Sequence, residues 1–358
     1  MVETKADNYY RALADKLERD RDLSDDEFAA ILLYDDPQFS AYLSERARVE
    51  RERVYGKEVY LRGLIEFTNH CKNNCYYCGI RSGNRSVERY RLCEEDIISC
   101  SDLGYKLGFR SFVLQGGEDP YDTDDRIVSI IRRIKELHPD AAVTLSIGER
   151  ERESYLKFYE AGADRYLLRH ETAAKEHYEM LHPSKMSYEN RMRCLRDLRD
   201  IGYQVGCGMM VGSPGQKIEY LMKDIRFLQE FHPEMVGIGP FIPHRDTMYA
   251  NEQPGTLEMT LRLLSVIRLI LPDVLLPATT ALGTIDALGR EKGLMAGANV
   301  VMPNLSPVDV RSKYLLYDNK ICTGDEAAEC IRCMTRRVAR TGYQVVESRG
   351  DHISYKRE

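Results

Sequence analysis

Phe67-Thr68-Asn69-His70-Cys71-Lys72-Asn73-Asn74-Cys75-Tyr76-Tyr77-Cys78-Gly79 is the stretch on which the reading of the whole sequence turns. It follows a β-rich run at 59–67, and its three thiols stand at Cys-x3-Cys-x2-Cys spacing in an Asn-bearing loop closed by Gly. Three thiolates this close can each take one iron of a cubane cluster, for which a complete cysteine set would be four. The iron left without a protein ligand is a Lewis-acidic position, open to a chelating amino and carboxylate group. A zinc site is the simpler alternative, with His70 completing a Cys3His set. His70 abuts Cys71, however, and wrapping both around one tetrahedral ion is awkward.

Working outward, short β-rich runs alternate with longer helical patterns from residue 57 onward, the signature of a parallel α/β sheet. The strand candidates are 59–67, 111–115, 141–147, 164–169, 204–211, 235–241, 274–280 and 299–302. Helical segments are expected near 94–107, 124–137, 153–161, 187–201, 217–231, 256–270 and 286–296. Eight strands with intervening helices predict a (β/α)8 TIM-type barrel over 56–310. A charged helical extension precedes it at 1–55, where Ser24 heads a capped helix, and a cysteine-bearing segment follows at 311–358. An open doubly wound sheet is the alternative, although no Gly-rich nucleotide fingerprint follows the first strand. In a barrel the chemistry sits after the strand C-termini. The unusual polar residues of this chain gather there.

The 358 residues are 43% hydrophobic and carry a net charge of −6, enough apolar matter for a large core and the wrong sign for a nucleic-acid partner. No apolar run is long enough to span a membrane and no secretory leader is evident, so a cytoplasmic location is expected. Of the ten cysteines, six fall in two tight groups, Cys71/Cys75/Cys78 and Cys322/Cys330/Cys333. Tight groups without a leader suggest metal or redox sites rather than a disulfide framework.

With Tyr77 as the aromatic before the last cysteine, the first group resembles the defining motif of the radical S-adenosylmethionine (SAM) superfamily. Within it, stretches between about 58 and 333 resemble the HydE maturases of FeFe-hydrogenase, which share a scaffold with methylornithine synthase and biotin synthase. Among them are Arg89-Tyr90-Arg91, Leu114 to Tyr121, Ala161 to Thr172, Met210 to Gln216 and Leu276 to Thr284. The resemblance implies a [4Fe-4S] cluster on Cys71, Cys75 and Cys78 that passes an electron to SAM and releases a 5′-deoxyadenosyl radical. It implies that Glu171 bonds the SAM ribose, that Arg191 pairs with the SAM carboxylate, and that Gly116, Gly117 and Glu118 receive the amino group. Tyr77 and Ser146 join this cofactor set. A structural ion pair is the plainer role for Glu171 and Arg191.

For substrate, the expected lining is Arg62, Gln115, Thr144, Arg165, Arg169, Thr279, Thr280 and Asn304. Buried arginines are costly unless paired or binding anions, and as a set these residues suit an anionic small molecule. The resemblance implies a cysteine-bound iron carbonyl cyanide complex, with other hydrogenase maturases and an electron donor as partners. Cys322-x7-Cys330-x2-Cys333 is expected to hold a second iron–sulfur cluster, 2Fe-2S or 4Fe-4S; free cysteines on a terminal helix are the alternative. A radical mutase or sulfur-inserting enzyme of the methylornithine or biotin synthase kind is the competing function. A non-catalytic electron carrier would need neither the barrel nor an open iron.

Overall fold

The computed structural model describes residues 5–324 and 327–356. Its centre is a six-stranded parallel ladder of β2 (Gly63–Thr68), β3 (Ser111–Gly116), β4 (Ala142–Ser146), β5 (Arg165–Leu167), β6 (Gln204–Cys207) and β8 (Met235–Val236), in that order. A second parallel ladder joins β10 (Val300–Val301), β1 (Glu58–Leu61) and β11 (Gln344–Val346), and a third joins β7 (Met210–Val211) to β9 (Gly239–Pro240). The remaining side of the ring is carried by single bridges, Met235 to Leu275, Pro277 to Val300 and Leu64 to Asn304. The fold is therefore of the (β/α)8 type expected, with no continuous ladder closing it.

Side chains alternate across a strand, and the register sorts them here with chemical consistency. Glu66, Gln115 and Ser146 share one level, and Thr144, Arg165 and Gln204 another, all on the inner face. Ile65, Phe67, Phe112, Leu114, Val143, Leu145, Tyr166 and Val205 take the opposite face and are buried. The outer helices supply the complementary stripe. In helix 124–137, capped by Thr123, the residues Ile127, Ile130, Ile131 and Ile134 fall at i, i+3, i+4 and i+7 and are all 0% exposed. Each contributes about 1.5–3 kcal/mol by leaving water. The apolar layer thus lies between sheet and helices, and the lumen is left polar.

Four strand expectations are corrected. The run 59–67 divides at Arg62 into β1 and β2, which belong to different ladders. The run 204–211 splits into β6 and β7, and 235–241 into β8 and β9, at Gly208 and Gly237. There the backbones approach so closely that a Cβ on Gly208 would sit 2.0 Å from the Gly237 carbonyl oxygen. The run 274–280 makes only single bridges. Pro277 has no N–H to give a ladder, and Thr279 instead caps a short helix at 280–285. Helix 286–296 is shorter than expected, at 289–295. The N-terminal helices 5–20, 25–33 and 37–55 pack around helix 257–270, and β11 brings the C-terminal segment onto β1. Among the described residues no helix is long and apolar enough to cross a membrane.

Candidate active site

The cysteine loop leaves the C-terminal end of β2 and is held by its own polar residues. Asn69 donates to the carbonyls of Glu88 (2.9 Å) and Lys313 (2.7 Å) and accepts from the Tyr90 N–H. The Arg89 guanidinium gathers the carbonyls of Asn69, Ile80, Arg81 and Asn84, so one side chain fixes the loop's curvature. Arg91 forks onto Asp119, which also accepts from Thr68. The Arg89-Tyr90-Arg91 stretch thereby supports the loop from below.

Cys71, Cys75 and Cys78 are all half-buried. Burial pushes all three thiols up, and the charges of neighbouring cysteines add to the rise at Cys75 and Cys78, which brings Cys78 to about 12. As bare thiols, Cys75 and Cys78 thus ionise against the charge of their cysteine neighbours. A cationic iron cluster reverses that balance, because metal binding displaces the protons. Among the described residues, no three His, Cys, Asp or Glu side chains converge on a single point; a cubane offers three separate irons and needs no such convergence. Gly117 packs so tightly on the loop that a Cβ there would meet the His70 carbonyl oxygen at 2.2 Å and Cys71 Cβ at 2.7 Å. The donor set and this close cradle fit an iron–sulfur cluster.

The residues expected around SAM lie on the same rim. Glu171 has a left-handed backbone (φ 67°), unusual for a residue with a Cβ, and the residue is 7% exposed. Strain of this kind clusters at functional sites. Its Oε2 lies 3.0 Å from Arg169 Nη2 without an aligned hydrogen bond. Arg191 donates from Nε to Glu149 (2.6 Å) and from Nη1 to the Arg169 carbonyl. The plainer structural role is therefore real for Arg191. Even so, both Glu171 and Arg191 act electrostatically on Cys75, which places them at the cysteine group. Tyr77 meets His182 at 3.3 Å, and burial pushes His182 down to about 3, so that imidazole is neutral. Glu118 Oε1 accepts from the Glu149 N–H, with Gly148 pressed against its side chain, and Gly116 ends β3 beside Thr68. Ser146 ends β4, half-buried.

The lumen residues divide. Thr144 is 1% exposed with its hydroxyl unpartnered, and Arg62 is 5% exposed with Nε and Nη2 unpartnered, its Nη1 lying 2.7 Å from Met235 Sδ. Gln115 donates to Tyr314 Oη. Asn304 is taken up by Glu66 (2.8 Å) and Thr279 by its helix cap. Thr280 accepts from Arg290 at 3.3 Å. The fold puts two of these residues at the N-terminal end of the barrel: Arg62, which precedes β2 and lies within electrostatic reach of Arg165 and Asp351, and Arg165 itself. Arg165 opens β5, at the N-terminal end of the strand, and bonds Ser111 (2.8 Å), the Arg349 carbonyl (2.7 Å) and Asp351 (2.6 Å). Its charge serves the C-terminal segment that closes the floor of the barrel. The reading also missed a buried pair: Lys320 bonds Glu66 inside the lumen. The signal was present in the alternation Arg62-x-Leu64-x-Glu66-x-Thr68. Of the second cysteine group, Cys322 is half-buried and Cys333 exposed, while the Cys330 side chain lies outside the described residues.

A polar barrel whose first strand runs into this cysteine loop defines a radical SAM enzyme, and residues 65–228 match the family described as the Radical SAM superfamily. The chain is 46% identical to the [FeFe] hydrogenase maturase subunit HydE of Thermotoga maritima, over 93% of this chain and 94% of that one. It is 32% identical to 3-methylornithine synthase of Methanosarcina acetivorans over 78% of this chain and 79% of the relative. A crystal structure of methylornithine synthase superposes with a TM-score of 0.83 at 28% identity, covering 93% of this chain and 97% of that one. The protein belongs to the radical SAM superfamily, in its HydE family.

Proposed function

We propose that this chain is a hydrogenase maturase that uses a SAM-derived radical on a cysteine-bound iron carbonyl cyanide precursor of the FeFe-hydrogenase cluster. Cys71, Cys75 and Cys78 would hold the [4Fe-4S] cluster, which together with SAM supplies one electron and a 5′-deoxyadenosyl radical. Glu171 and Arg191 would orient SAM, with Gly116, Gly117, Glu118, Tyr77 and Ser146 shaping its seat. The observation that supports the substrate reading is Arg169, beside Glu171 on the rim, whose buried Nε has no partner, with the buried and unpartnered Thr144 hydroxyl deeper in the lumen. Unpaired buried donors are expensive, and a ligand bearing carboxylate and cyanide acceptors would satisfy them. Gln115, Thr279, Thr280 and Asn304 would complete the wall, and a substrate held inside the barrel would be shielded from water along with the radical. Cys322, Cys330 and Cys333 would bind a second iron–sulfur cluster. Other maturases and an external electron donor would be the partners.

The test is to incubate reduced, iron-loaded protein with SAM and a synthetic iron carbonyl cyanide cysteine complex. An adenosylated, sulfur-linked product in the mass spectrum is expected, with a new low-valent iron signal by electron paramagnetic resonance. Deoxyadenosine as sole product, with deuterium received from a labelled carbon substrate, would transfer the assignment to the mutase class that methylornithine synthase represents.

A further inference from the structure

Outside the barrel, one buried arginine spans two sites. Arg290 lies on helix 289–295, is 5% exposed, and directs Nη1 and Nη2 at Cys322 Sγ from 3.7 and 3.6 Å. The same Nη2 reaches Thr280 Oγ1 at 3.3 Å, which fixes the guanidinium from its other side. Cys322 has a left-handed backbone (φ 64°). A residue with a Cβ persists in that region only where its surroundings impose it, and here its sulfur lies against a cation. A second arginine stands close by: Arg337 forks onto Glu291, the residue after Arg290, and lies within electrostatic reach of both Cys333 and Cys322. Arg332 and Arg336 line the groove that contains Cys333.

We infer that Arg290 is the positioning residue of a second iron–sulfur site at Cys322, Cys330 and Cys333, where it aims the Cys322 sulfur and raises the site's reduction potential. The inference rests on the proposal that this trio binds iron. Hydrogen bonds to cluster sulfurs and local charge set cluster potentials, and partners of the ligands orient them. Reduction adds one electron and breaks no bond, so N–H donors and a buried positive charge stabilise the reduced form more than the oxidised one. Salt screens a buried charge far less than exposed ones such as Arg336.

The experiment is a redox titration of the reconstituted full chain, reduced with dithionite and followed by electron paramagnetic resonance with and without SAM. The component that SAM does not perturb reports the second site. Arg290→Gln should move its midpoint to more negative potential and change its line shape. Arg290→Lys should restore part of the shift, and Arg336→Gln should move it less than Arg290→Gln. Thermal melting checks that each variant folds. An unchanged midpoint and line shape in a folded Arg290→Gln, with the SAM-insensitive signal present, would overturn the role of Arg290 alone. Full iron content and an unchanged spectrum in Cys322→Ala would overturn the second site itself, and Arg290's role with it.

Discussion

Cys75 lies within electrostatic reach of Cys71, Cys78, Glu171 and Arg191, so a single side chain senses the whole first site. With two thiolates left, the catalytic cluster has no firm seat. Cys75→Ala should therefore yield no 5′-deoxyadenosine from SAM under dithionite after anaerobic reconstitution, measured by liquid chromatography; normal yield would refute the assignment. Arg191 has a more divided job, since Glu149 and the Arg169 carbonyl already take two of its donors. Removing a charge-assisted contact to SAM costs about 1.5–3 kcal/mol, roughly tenfold to a hundredfold in affinity. Arg191→Ala should weaken SAM binding by that factor in equilibrium dialysis while iron content is retained. Unchanged affinity would leave Arg191 a purely structural ion pair. These residues stood out in the sequence because chemistry of this kind needs particular side chains at particular spacings. Glu171's left-handed backbone was not legible, because strain is imposed by the strands around it.

Among the elements, helices such as 124–137 could be read closely because a 3.6-residue stripe of isoleucines leaves few alternatives. Strands were harder to bound. Nothing local in the sequence announces that Gly208 and Gly237 will meet, and this meeting divides two strands. Arg165 shows the same limit. Its inward direction followed from alternation, but its end of the barrel depended on where β5 stops and on Asp351, 186 residues away. The segment 349–352 works as a floor: Asp351 bonds Arg165, Arg349 and Gln204, and Arg349 reaches Asp164. Burial alone would raise the Asp351 carboxyl, but Arg165, Arg349 and Gln204 prevail and hold it at about 2. A depressed carboxylate contributes stability above its unfolded pKa of about 4 and loses it as pH falls toward 2. Asp351→Asn, which leaves Arg165 buried without its counter-charge, should destabilise the protein by about 3 kcal/mol, the low end for a broken buried pair. Denaturant melts at neutral pH check the loss. Repeated between pH 4 and 2, the gap between wild type and variant should narrow; a constant gap would show that the ion pair is not its source.

Across the whole molecule the two cysteine groups are joined by one stretch of chain. The Gly79 N–H, next to Cys78, bonds the Leu316 carbonyl, and Lys320 then reaches into the lumen to Glu66 before the chain turns at Cys322. The segment 314–320 thus roofs the barrel and belongs to the first site's architecture. Cys333 does not: it is exposed on helix 327–340, which packs on helix 289–295 and β11 outside the barrel. Among the described residues, none that bonds the first cysteine loop comes from that helix; the loop's supports include Asn69, Arg89 and the carbonyls of Lys313, Leu316, Glu118 and Leu181. Cys333→Ala should accordingly lower the iron bound per chain, since one thiolate of the second trio is lost, while dithionite-driven SAM cleavage continues at the wild-type rate. Iron analysis and deoxyadenosine yield, measured on the same preparation, separate the two effects. Cleavage lost as completely as in Cys75→Ala would mean that the second site takes part in SAM cleavage itself, and the division of labour drawn from the packing of these helices would fail.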